Sequence, residues 1–109
     1  MITILNASVL TSFGQYQFTE LALSEAQELV YKGHESAVGH ESTAKILSLL
    51  LGVDVQTNRV LYSQQIGDIA LVFKLNGRVP EGAILSVEAI EEMGFSFGLL
   101  ERVEFPAFG

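Results

Sequence analysis

The stretch that most constrains how this chain can fold is residues 39–51, which read GHESTAKILSLLL. A Gly-His-Glu-Ser-Thr run leads directly into a segment that is apolar on nearly every side, which predicts a buried helix ending at Gly52. The first N–H groups of a helix have no partner within the helix, and the helix dipole adds partial positive charge there. The residues therefore predict an anion-binding end beside His40. The apolar stem must be covered by a sheet on one side and by another element, or a dimer partner, on the other.

The composition limits the class of protein and of partner. A length of 109 residues suits a single domain, with residues 105–109 as a tail, and the formal net charge of −7 disfavours long nucleic acid. A small anion remains compatible with that charge, because a few basic side chains can dominate an enclosed pocket. The absence of cysteine excludes disulfides and thiolate metal sites. With no leader sequence and no apolar run of roughly 20 residues, we expect a cytoplasmic protein without a membrane partner.

The hydropathy pattern predicts an α/β domain whose mixed sheet of about five strands is flanked by helices on its faces. Strands are expected over residues 2–6, 16–23, 59–64, 69–76 and 95–104, with a brief extended piece at 37–38. The segments on either side of a turn at 66–68 are interpreted as a hairpin. Within the second arm, the two-residue period places Leu71, Phe73 and Leu75 on one face, opposite Ala70, Val72 and Lys74.

Helices are expected over about 25–32, after His40, and over about 87–93. Ser24 is the predicted N-cap of the first of these, with Gln27 completing a capping box. Ser86 is the predicted N-cap of the last.

His40 is the leading catalytic candidate, because imidazole both donates and accepts protons near neutral pH. The alternative is an exposed or capping histidine. His34 is interpreted as a surface residue. A metal site built from His34, His40 and Glu41 lacks any recognised ligand spacing, so no metal site is predicted.

Two of the three arginines lie at strand ends beside turns, which favours a phosphate clamp. Arg59 begins one predicted strand and Arg78 follows another, and the planar guanidinium matches phosphate oxygens with two parallel hydrogen bonds. The alternative for each is a solvated strand end. Glu81 could orient Arg78 or a histidine, accept a proton, or be a solvated loop carboxylate.

Four short motifs, taken in order, resemble the viral ring nucleases, which are anti-CRISPR proteins of archaeal viruses and bacteriophages with homologues in bacterial and prophage genomes. The motifs are Leu5-Asn6-Ala7, Gly39-His40-Glu41-Ser42-Thr43, Asn58-Arg59-Val60 and Arg78-Val79-Pro80-Glu81-Gly82. The similarity runs from residue 1 to about residue 104, which is nearly the whole chain.

The resemblance implies a homodimer in the cytoplasm of a prokaryotic or infected host cell. Such a dimer binds cyclic tetra-adenylate and cleaves it, without metal or cofactor, to linear di-adenylates with 2′,3′-cyclic phosphate ends. Removing this messenger would inhibit type III CRISPR defence.

Carried over by position, the resemblance implies catalytic roles for His40, Arg78 and Glu81. The implied ligand-binding residues are Asn6, Ser8, Ser42, Thr43 and Arg59. Ser8 follows Asn6-Ala7 directly, where archaeal viral members often have Phe-Ser, so the resemblance leaves the adenine contacts open.

Two other functions remain open from the sequence. The first is a sponge that binds the cyclic nucleotide without significant cleavage. The second is a nucleic-acid-binding regulatory dimer, which the acidic composition disfavours.

Overall fold

The structure is a computed structural model that describes residues 1–7, 10, 12–77 and 86–103. In chain order its elements are β1 (Ile2–Leu5), β2 (Gln15–Leu21), α1 (Leu23–Tyr31), β3 (His34–Ser36), α2 (Glu41–Leu51), β4 (Ile69–Leu75), α3 (Val87–Met93) and β5 (Phe95–Val103). None of the helices in these described ranges is long and apolar enough to cross a membrane.

The strands form one mixed sheet in the order β2-β5-β4-β1-β3. Strand β1 pairs in parallel with β3 and with β4, whereas β5 is antiparallel to both β4 and β2. The carboxyl ends of β1, β3 and β4 therefore lie at one edge of the sheet. The predicted single α/β domain with a five-stranded mixed sheet is confirmed.

The three helices pack against the same face of the sheet. Their buried side chains form one core with Ile2 and Ile4 of β1, Leu71 and Phe73 of β4, and Phe97 of β5. The other face carries a smaller cluster that contains no helical residue: Leu5, Ala70, Val72 and Leu100, with Tyr16, Ala37 and Tyr62 against it. The alternation predicted for β4 is confirmed. The expectation of helices on both faces does not hold for the described residues, and we call the second surface the open face.

Helix α2 is the central element of the helical layer. His40 is its N-cap residue, and Gly52 ends it in the left-handed conformation, with φ of 71°, which glycine adopts without steric cost. Its apolar side chains are buried within the single chain, because α1 and α3 flank it on the sheet. Leu49 is the exception, at 56% exposed. The apolar stem is thus explained without a dimer partner.

The start of α1 differs from the prediction. The helix begins at Leu23, and the Glu25 carboxylate accepts a 2.9 Å hydrogen bond from the backbone N–H of Ala22. Gln27 is not a capping residue, because its side-chain amide donates to the carbonyl of Leu50 and so links α1 to α2. The predicted cap of α3 is confirmed, since the Ser86 hydroxyl accepts from the Ala89 N–H.

The predicted hairpin is wrong in its first arm, because residues 54–65 form no strand. Both edges of β4 are already paired, with β1 and with β5, so no edge remains for a strand at 59–64. Near the end of this segment lies the buried Gln64. Its side-chain amide donates to the carbonyls of Asp68 and Leu100, each at 2.9 Å. A turn does follow, and the Asp68 N–H donates to the Gln65 carbonyl.

The extended piece predicted at 37–38 lies slightly earlier, as β3 at His34–Ser36. His34 is half-buried, which corrects its interpretation as a surface residue. Its ring nitrogens lie 3.2 Å from the Val30 carbonyl oxygen and 3.3 Å from that of Asp54. His34 therefore connects the end of α1 to segment 54–65 and has a structural role.

Candidate functional site

Three of the predicted site residues come together in one cavity of about 440 Å³. Asn6, His40 and Arg59 all line it, although they are far apart in the sequence. It lies where β1 and β3 end, which is the edge of a parallel sheet where α/β proteins bind ligands. We call it the His40 cavity.

Separate elements position these side chains. Asn6 directly follows β1, and His40 lies between β3 and α2. Arg59 belongs to segment 54–65, and its Nη2 atom donates to the Gly39 carbonyl oxygen at 3.2 Å. This hydrogen bond places the guanidinium beside the residue that precedes His40.

Asn58 fixes the segment that carries Arg59. Its backbone N–H donates to the Val38 carbonyl at 2.7 Å, and its side-chain amide donates to the Ser36 carbonyl, also at 2.7 Å. The side chain thus joins segment 54–65 to the end of β3. Asn58 is a positioning residue for Arg59.

Replacing Asn58 with alanine should lower the free energy of unfolding by about 0.5–1.5 kcal/mol, the net worth of one hydrogen bond. Arg59 would then be held less firmly, so the affinity for a phosphate ligand should also fall. Thermal unfolding measures the first effect and calorimetric titration the second. Asn76→Ala is the control, because Asn76 is also exposed but its side chain makes no hydrogen bond to segment 54–65. Equal effects of both variants would contradict this role for Asn58.

The His40 cavity is locally basic in an acidic protein. None of its described lining residues is a carboxylate, whereas Arg59 and His40 both line it. Glu41, the nearest acid in the sequence, forms an exposed ion pair with Lys45 at 3.4 Å and does not line the cavity. An anion entering here therefore meets no lining carboxylate among the described residues.

Helix α2 begins at the rim of this cavity. The His40 side chain makes no capping hydrogen bond. The first hydrogen bond of the helix runs from the Ala44 N–H to the His40 carbonyl. The N–H groups of residues 41–43 thus receive no cap from His40, and a helix N-terminus of this kind favours anions. Ser42 and Thr43 are half-buried in this first turn, and neither lines the cavity.

Ser8, Arg78 and Glu81 lie outside the described residues. Their predicted roles in ligand binding and catalysis remain predictions. In the sequence, Arg78 and Glu81 follow β4, whose carboxyl end lies at the same sheet edge as the ends of β1 and β3.

Sequence reasoning missed the hydrophobic wall of the cavity, which is formed by Val60, Leu61 and Tyr62. Their alternating pattern predicted a strand of a hairpin, so their position in the cavity lining was not predicted. Burial raises the pKa of the Tyr62 hydroxyl, and the negative charge of Asp68 raises it further.

The third arginine has a structural role. The Arg102 guanidinium donates to the carbonyls of Gln64 and Phe13, at 2.7 Å and 3.1 Å, and so joins β5 to two connecting segments. Across the described ranges, no cluster of three or more His, Asp or Glu side chains is arranged to hold a metal ion.

The fold and sequence place this chain in a family of small α/β proteins. Residues 2–97 match the STIV B116-like family, and the chain belongs to it. It is similar to the uncharacterized protein YddF of Bacillus subtilis, at 34% identity over 94% of this chain and 98% of that protein. It is also 33% identical to the uncharacterized protein ORF117 of Acidianus two-tailed virus, over 83% of this chain and 80% of the viral protein.

Among solved structures, the fold matches B116 of Sulfolobus turreted icosahedral virus. The TM-score is 0.80 at 27% sequence identity, covering 93% of this chain and 98% of B116. Relatives of this chain thus occur in archaeal viruses and in a bacterium.

Proposed function

We propose that this protein is a metal-independent ring nuclease that binds cyclic tetra-adenylate and cleaves it to linear di-adenylates with 2′,3′-cyclic phosphate ends. Acting in the cytoplasm of a prokaryotic or infected host cell, it would inhibit type III CRISPR defence by removing the messenger. The activity is inferred from the resemblance of its four motifs to the viral ring nucleases. No cofactor is required in this proposal.

The observation that carries the proposal is the convergence of Asn6, His40 and Arg59 on one cavity that no described carboxylate lines. These residues come from three of the four motifs and span about half of the chain. A proton-transfer group, a guanidinium and a helix N-terminus at one site are the groups that phosphodiester cleavage uses.

The chemistry is an internal displacement at phosphorus. The ribose 2′-hydroxyl gives up its proton to solvent water, and its oxygen attacks the adjacent phosphorus in line with the P–O5′ bond. That bond breaks, and the 5′-oxygen takes up a proton. We assign His40 as the general acid that supplies this proton. Arg59 and Arg78 stabilise the charge that develops on the phosphoryl oxygens, and Glu81 positions His40 or Arg78.

We further propose that the active form is a homodimer. A two-fold dimer carries two equivalent sites, which match opposite phosphodiesters of a four-membered ring. One cleavage at each site yields two linear di-adenylates.

One observation favours the sponge as a second candidate. His40 is exposed, and within the described residues no side chain hydrogen-bonds to its imidazole, so this part of the chain does not orient the ring before a ligand arrives. An unoriented general acid favours slow cleavage, in which case sequestration would dominate.

The decisive test incubates the purified protein with cyclic tri-, tetra- and hexa-adenylate, with and without EDTA, and separates the products by chromatography. We expect cyclic tetra-adenylate to be converted to the cyclic-phosphate di-adenylate at the same rate in both conditions. Binding without turnover after long incubation would identify a sponge. Loss of turnover in EDTA would disprove the metal-free mechanism, and absence of both binding and turnover would reject the proposal.

A further inference from the structure

A second cavity, of about 620 Å³, lies on the open face of the sheet beside the His40 cavity. Asn6 and Ala7 line both cavities, so the residues that follow β1 form a wall between them. We call it the Phe18 cavity after the largest exposed side chain in it. Apart from Asn6, none of its lining residues has a role in the proposed cleavage.

Phe18 lies over a glycine of the neighbouring strand. A Cβ atom at Gly98 would come within 2.3 Å of the Phe18 Cε1 atom, so this ring position depends on glycine. Although its ring lies against the sheet, Phe18 is 58% exposed. An aromatic ring that rests on backbone and is open to solvent is a platform on which a nucleobase can stack.

Two charged side chains line the cavity with this ring. Glu20 lies two residues along β2, on the same face, and Lys74 of β4 lines the same cavity. In the part of the chain that the structure describes, neither takes part in an ion pair, so both are available to a ligand.

A carboxylate and an ammonium group together match the hydrogen-bonding groups of adenine. Adenine offers an exocyclic amino donor next to a ring-nitrogen acceptor, which match Glu20 and Lys74 respectively.

We propose that the Phe18 cavity is a base-recognition subsite, in which one adenine stacks on Phe18 while the adjoining phosphate occupies the His40 cavity across Asn6 and Ala7. The proposal rests on the proposed function, because the ligand is taken to be a cyclic adenylate. It assigns adenine recognition to the open face of the sheet, apart from the residues that cleave the ring.

The test measures binding of cyclic tetra-adenylate by calorimetry in a His40→Ala background, so that cleavage does not obscure binding. Phe18→Ala should weaken binding by about 5- to 150-fold, the range that stacking of one base supplies. Gly98→Ala should also weaken it, because the new Cβ displaces the Phe18 ring while retaining it. Tyr31→Ala is the matched control, because Tyr31 is an exposed aromatic on α1, at 77% exposure, and should have no effect.

Thermal unfolding and light scattering of each variant separate binding from folding and assembly. Unchanged affinity in Phe18→Ala would overturn the subsite while leaving the proposed function intact. A loss of affinity accompanied by a change from dimer to monomer would also overturn it, because Phe18 would then pack against a second copy.

Adenosine monophosphate is a second probe that does not depend on the ring. If the parent fails to bind the ring but binds this nucleotide through Phe18, the proposed function fails and the subsite stands. If the parent binds neither, both fail. Unchanged affinity for this nucleotide when Glu20 and Lys74 are both replaced by alanine would overturn their assigned roles.

Discussion

Replacing His40 with alanine should slow cleavage of cyclic tetra-adenylate by about 10²- to 10⁴-fold, the usual contribution of a positioned general acid. The 5′-oxygen would then leave without a proton from the protein, whereas Arg59 and the start of α2 would still bind phosphate. Affinity for the ring should therefore change little. Single-turnover kinetics with labelled ring measures the rate, and titration of the same variant measures the affinity.

His34 provides the matched control, because it is the second of the two histidines in the chain. Its ring nitrogens lie 3.2 Å and 3.3 Å from the Val30 and Asp54 carbonyl oxygens, and the ring lies outside the His40 cavity. His34→Ala should lower thermal stability but leave the turnover of folded protein unchanged. Full turnover in His40→Ala, or an equal loss in both variants, would remove His40 from the catalytic role.

Replacing Leu47 with alanine should destabilise the fold by about 2–5 kcal/mol and lower Tm by roughly 8–20 °C. Leu47 is fully buried in α2, within the core that joins the three helices to the sheet. The variant loses the transfer free energy of the missing methyl and methylene groups and leaves a cavity that its neighbours fill incompletely. Chemical and thermal denaturation measure the change.

Leu49→Ala is the control for Leu47, because it makes the same change on the same helix at a position that is 56% exposed. Its effect should stay within about 0.5 kcal/mol, as is usual for surface positions. If Leu49→Ala were as destabilising as Leu47→Ala, the exposed side of α2 would be covered in solution. A second copy of the chain would then be the natural cover.

Local sequence patterns predicted the elements whose signals lie within the elements themselves. The two-residue alternation of β4, the Ser86 cap of α3 and the stop of α2 at Gly52 were all readable, because each depends on near neighbours in the chain. The strand predicted at residues 59–64 was wrong because strand pairing depends on distant segments. Their alternation favours a strand, but pairing needs a free sheet edge, and both edges of β4 are taken.

The sequence predicted individual residues of the candidate site better than it predicted which other residues surround them. The motif residues Asn6, His40 and Arg59 were named from the sequence, and they do line one cavity. The hydrophobic wall at Val60, Leu61 and Tyr62 was assigned to a predicted strand, because those side chains reach the cavity only through the path of segment 54–65. Arg102 was equally unreadable, since its partners Gln64 and Phe13 are distant in the sequence.

Sequence alone determined that residues 39–51 contain a buried helix with a histidine and free N–H donors at its start, because helix period and end signals are local. Tertiary structure decided which residues lie beside the start of this helix. Parallel pairing of β1 with β3 brings Asn6 to His40, and the bonds of Asn58 bring Arg59 beside Gly39. It also decided that α1 and α3 cover the apolar stem of α2. These are contacts between distant parts of the chain, and no local pattern of residues specifies which distant segments will meet.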